Sequence, residues 1–370
     1  MYQAGPTIER TRNGRLWAAW TSGGPDEGPF NYVLLTSSDD GGHTWSEARL
    51  VIDPPGNVSA SSPLLWYDDG GRLWLFWTQG YADAVGSRVW AIVADNVDSA
   101  APTWSRPMRI ADGRVSGKPL VVANGAWLLP IHSESGAQDF DEALGFYHLG
   151  LSPCVVATLK KEDASRIKGA LVYRSTDQGR SWELLGQANL PPRATAKGYR
   201  AVEQLIVERR NGTLWMLART PPGIGQSVSQ DDGKTWTEIQ PSGIRHPLTR
   251  FFIRRLRSGR LLMVRHDPPS VEYPKNCNDC GELNRSHLKA YVSDDDGNSW
   301  RGGLLLDDRE KVSYPDGTQA ADGTIFIVYD HDRRTAREIL LASFTEEDIL
   351  QRHCIAHACS LRTLVSRGSR

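Results

Sequence analysis

The sequence lacks both a long hydrophobic stretch and a surplus of charge. No apolar run within its 370 residues approaches the roughly 20 that a membrane-spanning helix requires. Its 43 Lys and Arg against 44 Asp and Glu leave a net charge of −1, so charge gives no reason to expect a nucleic acid or an anionic membrane as a partner. No signal peptide precedes the first strand-like segment. The sequence as it stands fits a cytoplasmic protein, and a secreted or periplasmic one if the N-terminus was trimmed.

Cysteine is scarce as well, with five residues, an odd number. Cys277 and Cys280 form a single CxxC pair, whereas a structural zinc site needs four ligands. His266 and His287 are the candidates for the other two, but without a second CxxC we expect no metal and no other cofactor. The remaining cysteines follow no spacing pattern and fit free thiols in a reducing compartment; they are Cys154, Cys354 and Cys359.

Glycine and tryptophan are abundant instead, with 35 and 13 residues, and both recur in one motif. The pattern S-x-D-x-G-x-[ST]-W occurs four times, at residues 38–45, 175–182, 229–236 and 293–300. The Asp can accept hydrogen bonds from backbone N–H groups two residues on, and the Gly supplies a positive φ. The Trp can fold back and bury a large apolar face. These residue types predict a structural turn, and their repetition predicts a repeat architecture.

A second element, two apolar strands joined by a tight turn, occurs six times. Turns such as N-G and D-G between apolar runs are the strongest short-range signals of a β-hairpin. The six turns are Asn13-Gly14, Gly70-Gly71, Asn124-Gly125, Asn211-Gly212, Ser258-Gly259 and Asp322-Gly323. Six such units predict an all-β, six-bladed propeller. Two packed β-sandwiches are the alternative that the regular spacing disfavours.

The six units are not identical, and the places where the repeat is interrupted or ends predict an insertion and the end of the domain. The second unit keeps only a decayed motif between Asp95 and Trp104, and the sixth has none, so that Glu338–Phe344 forms its third strand. One propeller domain is predicted over residues 1–350. Its third blade carries an insertion at about residues 133–169, and residues 351–370 form a basic tail that we expect to be poorly ordered.

The repeated motif resembles the Asp-box of the sialidase superfamily and of its bacterial neuraminidase-like repeat relatives, over about residues 2–349. The resemblance implies a sialidase-like propeller that uses a Tyr as nucleophile. A neutral Tyr is a poor nucleophile and needs a carboxylate to take its proton. By resemblance, Tyr314 at the start of the sixth inner strand is the nucleophile and Glu203 at the start of the fourth is its base. Asp26, on the loop after the first hairpin, is the acid that protonates the leaving oxygen.

The resemblance also implies arginines that hold the carboxylate of an acidic sugar. Arg219, which ends the second strand of the fourth blade, and Arg285, shortly before the fourth Asp-box, stand where the family has two of its three. The family's first Arg is replaced by Ala4, which cannot bind a carboxylate as a guanidinium does. Arg250 opens the fifth inner strand and is expected to supply a substitute cation. The further candidates for the rim of the pocket are Lys118, His132 and His266.

The favoured function is therefore an exo-glycoside hydrolase that removes a terminal, acidic sugar from a glycan or glycoconjugate with retention. The missing first Arg keeps a second class open, a propeller that binds glycans without catalysis. A third is a lyase on uronate-containing polysaccharides, because one fold hosts several chemistries. Each candidate residue also has an ordinary structural reading, as a strand-end ion pair, a core Tyr or a loop carboxylate. The sequence leaves the sugar, its linkage and the oligomeric state open.

Overall fold

The structure, a computed structural model, describes residues 1–81, 85–133, 168–195, 199–221, 223–269 and 284–369. These residues form six antiparallel sheets, the blades of a β-propeller, and confirm the predicted fold class. In five blades the strands follow one another in chain order, with the first strand innermost, and in the third blade two short strands both pair with the strand that follows them. The residues of the Cys277–Cys280 pair and Cys154 lie outside the described residues, as does most of the predicted insertion.

The strands of the first three blades are as follows. The first blade contains β1 (Gln3–Arg10), β2 (Leu16–Ser22), β3 (Tyr32–Ser38) and β4 (Leu50–Ile52). The second contains β5 (Val58–Tyr67), β6 (Leu73–Tyr81), β7 (Val85–Ala94) and β8 (Met108–Asp112). The third contains β9 (Arg114–Val115), β10 (Leu120–Val121), β11 (Trp127–Ser133), β12 (Gly169–Ser175) and β13 (Glu183–Ala188). Ser133 pairs with Gly169, so the insertion joins the ends of two paired strands.

The other three blades follow the same order. The fourth contains β14 (Val202–Glu208), β15 (Leu214–Thr220), β16 (Gly223–Ser229) and β17 (Gln240–Pro241), after the short helix α1 (Pro192–Thr195). The fifth contains β18 (Phe252–Arg255), β19 (Leu261–His266), β20 (Leu288–Ser293) and β21 (Arg301–Asp307). The sixth contains β22 (Val312–Gln319), β23 (Ile325–His331), β24 (Glu338–Phe344) and β25 (Ser360–Arg367), with helix α2 (Glu346–Gln351) before its last strand.

The Asp-box motifs form the turns between the last two strands of their blades, and their hydrogen bonds are internal to the turn. In the first copy the Asp40 carboxylate accepts from the backbone N–H and the hydroxyl of Thr44, at 2.9 and 2.6 Å. The donors are therefore four residues beyond the Asp, whereas the sequence analysis expects backbone N–H groups two residues beyond it. Gly42 has a φ of 94°, and a side chain there would lie 2.3 Å from Leu341 of the sixth blade. The motif is a structural turn that also packs one blade against the next.

Four of the innermost strands share a β-bulge near their first residues. The strand register shifts at these places, and the residue within each bulge has a positive φ of 50–58°. The four residues are Gly5, Ser62, Glu203 and Tyr314. A positive φ is uncommon for residues other than Gly and costs about 1–3 kcal/mol, and such bulges often re-aim side chains next to active sites. Two predicted catalytic residues thus occupy equivalent, strained backbone positions in different blades.

The axis of the ring is closed by a buried charge cluster around Lys118. Its Nζ donates to the carbonyl oxygens of Ile8 and Leu65 and to Glu9 Oε1, at 2.7–2.8 Å, and lies 3.1 Å from Asp316 Oδ2. These partners come from the first, second and sixth blades. An ammonium group has three N–H donors, and here each has a protein acceptor. The prediction that Lys118 binds substrate is therefore wrong, because the inner strands themselves satisfy its charge.

The C-terminal residues are part of the sixth blade, so the prediction of a poorly ordered tail is wrong for the described residues up to 369. Strand β25 pairs with β24 and covers what would otherwise be an open sheet edge. The helix α2 before it begins at a capping box of Thr345 and Asp348. Cys354 and Cys359 are joined by a disulfide, which corrects the expectation that both are free thiols. No repeat signal marks this segment of the sequence, because α2 replaces the Asp-box.

Candidate active site

The topology gathers the predicted site residues at one end of the ring. In these blades the start of the first strand, the end of the second and the start of the third all lie at the same end, whereas the Asp-boxes lie at the other. Glu203 and Tyr314 stand near the starts of β14 and β22, and Arg250 comes just before β18. Arg219 lies near the end of β15, and Arg285 comes just before β20. Residues that are far apart in sequence therefore share one mouth of the channel.

Glu203, Arg219 and Tyr314 form one contact group. Nη1 of Arg219 donates to Oε2 of Glu203 at 3.0 Å and to the hydroxyl oxygen of Tyr314 at 3.1 Å. Burial by itself would raise the pKa of Glu203, but the Arg219 charge and a hydrogen bond from Tyr314 hold that pKa at about 2. Burial and the Glu203 charge raise the pKa of the Tyr314 phenol. The resting pair is thus an ionised carboxylate beside a neutral phenol.

Arg285 and Arg250 are buried cations beside this group. Their residues are 4% and 6% exposed, and within the described part of the chain the Nε of each has no hydrogen-bond partner. Arg285 Nη1 reaches Ser313 Oγ at 3.5 Å, and its guanidinium lies 5.7 Å from the centre of the Tyr314 ring. Burial and a neighbouring guanidinium lower the pKa of Arg285 to about 10. The charge of Arg250 is close enough to help lower the pKa of Glu203.

Arg333 is a further guanidinium at this site, and the sequence analysis missed it. It lies on the loop between β23 and β24, with its guanidinium carbon 4.1 Å from the centre of the Tyr314 ring. Its Nε donates to Asp330 Oδ1 at 3.1 Å and its Nη2 to Ser313 Oγ at 3.0 Å. Asp330 lies near the end of the second strand of its blade, as Arg219 does in the fourth. The same positional rule, applied to the last blade, finds Asp330 but not Arg333, which lies beyond the strand on the loop.

Asp26 lies in a different ion pair. Its carboxylate is about half exposed and accepts from Nε of Arg334 at 2.8 Å. Burial acts to raise its pKa, but the hydrogen bond from Arg334 outweighs it and leaves that pKa below the usual range. Next to it, Glu27 Oε1 accepts from the Tyr2 hydroxyl at 2.7 Å and lies 3.6 Å from Arg333 Nη1, and its pKa is lowered against burial by Arg333. A general acid must hold a proton at the working pH, and neither environment favours one.

His132 and His266 support the backbone beside the contact group. His132 Nδ1 lies 2.7 Å from Ser116 Oγ and 3.4 Å from the backbone nitrogen of Glu203. His266 is fully buried, and its Nε2 lies 2.8 Å from the carbonyl oxygen of Val312. Burial is the main cause that lowers the pKa of His266, to about 3. Because His266 is fully buried, it cannot touch a sugar, and its predicted role in binding is wrong. His132 stays a candidate at the edge of the site.

No metal or membrane feature accompanies the site in the part of the chain that the structure describes. Groups of three or more His, Cys, Asp or Glu side chains able to hold a metal ion are not found among those residues. Within the same residues, neither helix is long and apolar enough to cross a lipid bilayer.

The fold and the geometry define a class: a β-propeller of the sialidase type with a phenol, a carboxylate and several guanidinium groups at one mouth. The chain belongs to the family described as BNR repeat-like domain, whose model matches residues 14–327. No curated protein sequence matches the chain.

Solved structures similar to this chain are mostly sialidases. The Hadza microbial sialidase Hz136 matches with a TM-score of 0.67 and 17% identity, over 94% of this chain and 66% of its own length. The intramolecular trans-sialidase from Ruminococcus gnavus, in complex with oseltamivir carboxylate, matches with a TM-score of 0.65 and 16% identity, over 94% of this chain and 95% of its own length. A leech intramolecular trans-sialidase complexed with 2,7-anhydro-Neu5Ac matches with a TM-score of 0.68 and 15% identity, over 95% of this chain and 69% of its own length. The chain thus spans about two thirds of the length of Hz136, and at these identities the likeness is one of fold.

Proposed function

We propose that this protein is a retaining exo-glycosidase that acts on a terminal acidic sugar, with Tyr314 as nucleophile and Glu203 as its base. One observation carries the proposal: the Tyr314 hydroxyl and the Glu203 carboxylate share the same nitrogen of Arg219. Since Arg219 donates to the phenol oxygen, the phenol proton is available for the carboxylate. A nucleophile with an adjacent base that a third group orients is the arrangement that activates a weak nucleophile.

The chemistry that these groups support has two displacements. In the first, Tyr314 Oη bonds to the anomeric carbon, the leaving oxygen departs with the electron pair of the broken bond and takes a proton from water, and the phenol proton passes to Glu203. In the second, water attacks the same carbon, the phenol oxygen departs, and Glu203 returns a proton to it while the proton of the water is lost to solvent. Two inversions give net retention. Because the pKa of Glu203 is about 2, the proton moves only as the phenol oxygen forms its new bond.

The charge balance of the site supports an anionic sugar. The guanidinium groups around Tyr314 and Glu203 are those of Arg219, Arg250, Arg285 and Arg333, and the carboxylates are Glu203 itself and, beside Arg333, Asp330 and Glu27. Within the described residues, four guanidinium groups thus face three carboxylates. Burying an unpaired charge is expensive, whereas a buried pair with good hydrogen bonds offsets much of that cost. A sugar carboxylate that pairs with Arg285 or Arg250 would supply the missing anion, and a neutral sugar would not.

The direct test is a screen of aryl glycosides of sialic acid and of uronic acids with the wild type and Tyr314→Phe. We expect turnover of an acidic glycoside by the wild type and a loss of at least a hundredfold in kcat for Tyr314→Phe, following the general scale for nucleophile and acid–base groups. Tyr329→Phe is the matched control, because Tyr329 is another buried phenol of the sixth blade and lies 3.2 Å from a different carboxylate, Asp307. It should retain activity.

A covalent probe gives a second readout. An activated fluoro-sugar of the substrate found in the screen should accumulate on Tyr314, and mass spectrometry of the peptide that contains this residue should show the added sugar. Equal turnover by wild type and Tyr314→Phe, or label on another residue, would contradict the assigned mechanism. The identity of the best aryl glycoside would also define the acidic sugar.

One observation favours a second candidate, a propeller that binds an acidic glycan without cleaving it. Asp26 is paired with Arg334, and Glu27 is held ionised, so neither is poised to protonate a leaving group. A binder would show saturable affinity for the acidic sugar in calorimetry and no turnover of any glycoside, even one whose leaving group departs without a proton. A single turned-over aryl glycoside would eliminate this candidate.

A further inference from the structure

The loop between β23 and β24 places Arg333 on the side of Tyr314 that faces the first blade. The backbone carbonyl of Arg333 accepts from the backbone N–H of Gln3 at 3.3 Å, so the loop runs beside the start of β1. A methyl group added at Gly5 would lie 3.9 Å from Cδ1 of Tyr314. Ala4 and Gly5 are too small to contribute a functional side chain there. The Arg333 guanidinium, with its side chain 9% exposed, covers this part of the Tyr314 ring.

A fixed network positions Arg333. Asp330 Oδ1 accepts from Arg333 Nε at 3.1 Å and from the Ser313 hydroxyl at 2.6 Å. Asp330 Oδ2 accepts from the backbone N–H of Gly5 at 2.8 Å, across the junction of the first and last blades. One carboxylate thus ties together the loop, the strand of the nucleophile and the bulge of the first blade. An Arg held in this way loses little conformational freedom when it binds a ligand.

Arg333 keeps hydrogen-bonding capacity after these contacts. A guanidinium has five N–H groups, and two of those on Arg333 donate to Asp330 and Ser313. Its Nη1 lies 3.6 Å from Glu27 Oε1, which is an ion pair and too long for a hydrogen bond. Tyr2 holds that Glu27 oxygen at 2.7 Å on the other side. Among the described residues, no acceptor satisfies Nη1 of Arg333.

We propose that Arg333 binds the carboxylate of the acidic sugar from the side of the first blade, and that the loop between β23 and β24 therefore sets the specificity for acidic sugars. The inference rests on the proposed function. Arg219, Arg285 and Arg333 then surround the Tyr314 ring, so a carboxylate on the anomeric carbon would meet guanidinium groups from the fourth, fifth and sixth blades. Ala4 and Gly5 provide the space for a cation that comes from a loop of the sixth blade.

The test measures binding of two matched ligands, the 2,3-unsaturated analogue of N-acetylneuraminic acid and its carboxamide, by calorimetry. Removing Arg333 alone would leave Asp330 as a buried, unpaired carboxylate, so the variant is Arg333→Met combined with Asp330→Asn. We expect its affinity for the carboxylate ligand to fall roughly ten- to a hundredfold, as for the loss of hydrogen bonds to a charged group, with little change for the carboxamide. Arg334→Met, one residue along on the same loop and paired with Asp26, is the control and should change neither.

Each result separates the two proposals. A selective loss for the carboxylate ligand supports Arg333 as the binding group. Equal losses for both ligands would show a merely structural effect and overturn the inference, as would unchanged binding of the carboxylate. The single substitution Arg333→Lys, which keeps the charge but loses the fork geometry, should weaken the carboxylate ligand selectively as well. If the wild type binds neither this ligand nor an unsaturated uronic acid, the proposed function itself fails, whatever the variants do.

Discussion

Replacing His266 by Gln should make the protein more resistant to acid than the wild type. His266 is fully buried between the fifth and sixth blades, where burial is the first cause that lowers its pKa to about 3 and the charges of Arg285 and Arg265 lower it further. In the unfolded chain its pKa is about 6.5. Between these two values the unfolded state binds a proton that the folded state does not bind. The stability contributed by neutral His266 is therefore complete above about pH 6.5 and is lost progressively as the pH falls towards 3.

The magnitude follows from the two pKa values. Each pH unit in this window costs about 1.4 kcal/mol of unfolding free energy. Between pH 6.5 and pH 4.5 the wild type should lose about 2–3 kcal/mol through this residue alone. Gln cannot titrate, and its amide N–H can still donate to the Val312 carbonyl that His266 Nε2 contacts. The neighbouring His246, whose ring centre lies 5.4 Å away, is present in both proteins, so its contribution largely cancels.

Urea unfolding, followed by the fluorescence of the 13 Trp residues, measures the free energy of unfolding at about pH 7 and about pH 4.5. The loss between the two pH values should be about 2–3 kcal/mol smaller for His266→Gln than for the wild type. His357→Gln, at an exposed position, is the control and should follow the wild type. Parallel losses for the wild type and His266→Gln would refute the argument, because they would mean that His266 takes up its proton in the folded state as readily as in the unfolded one.

Two further substitutions test Lys118 and Asp26, which the sequence predicts as site residues. Lys118→Met should lower the free energy of unfolding by about 3–5 kcal/mol in urea titrations, because it removes the cation from the buried Asp316 carboxylate and leaves Glu9 with Arg254 alone; a loss below about 1 kcal/mol would contradict the proposed role of this cluster in closing the ring. Asp26→Asn should change kcat by less than about threefold even for a glycoside whose poor leaving group must be protonated, because Arg334 keeps Asp26 ionised. A drop of a hundredfold would restore Asp26 as the acid.

The sequence predicts the blades well because each blade is built from local signals. A turn such as Asn211-Gly212 and an Asp-box such as residues 229–236 draw their geometry from neighbours in the chain, so they can be recognised without knowledge of the rest. The structure confirms the six blades and the third strand at Glu338–Phe344. The last strand, β25, carries no such signal, because α2 stands in place of the Asp-box and pairing with β24 alone determines its structure.

The candidate site was accessible from the sequence only where its residues sit at repeated positions. Glu203 and Tyr314 occupy the same bulge in two blades, and Arg219 ends the strand next to one of them, so strand position and family resemblance together pointed to them. Arg333 has no such place, since it lies on a loop whose path depends on the contact of Asp330 with Gly5. The prediction for Lys118 was wrong although this residue stands at a repeated position, the start of an inner strand. Its long side chain reaches the inner strands of other blades and not the pocket.

The sequence by itself determined the repeat, the hairpins and the type of fold, because hydrophobic alternation and turn chemistry act over a few residues. Only the tertiary structure decided which charges meet. Ring closure brings Gly5 to Asp330 and Arg219 to Tyr314, over sequence separations of 325 and 95 residues. Burial then sets the protonation of each group, and both effects depend on the surroundings that all six blades create together.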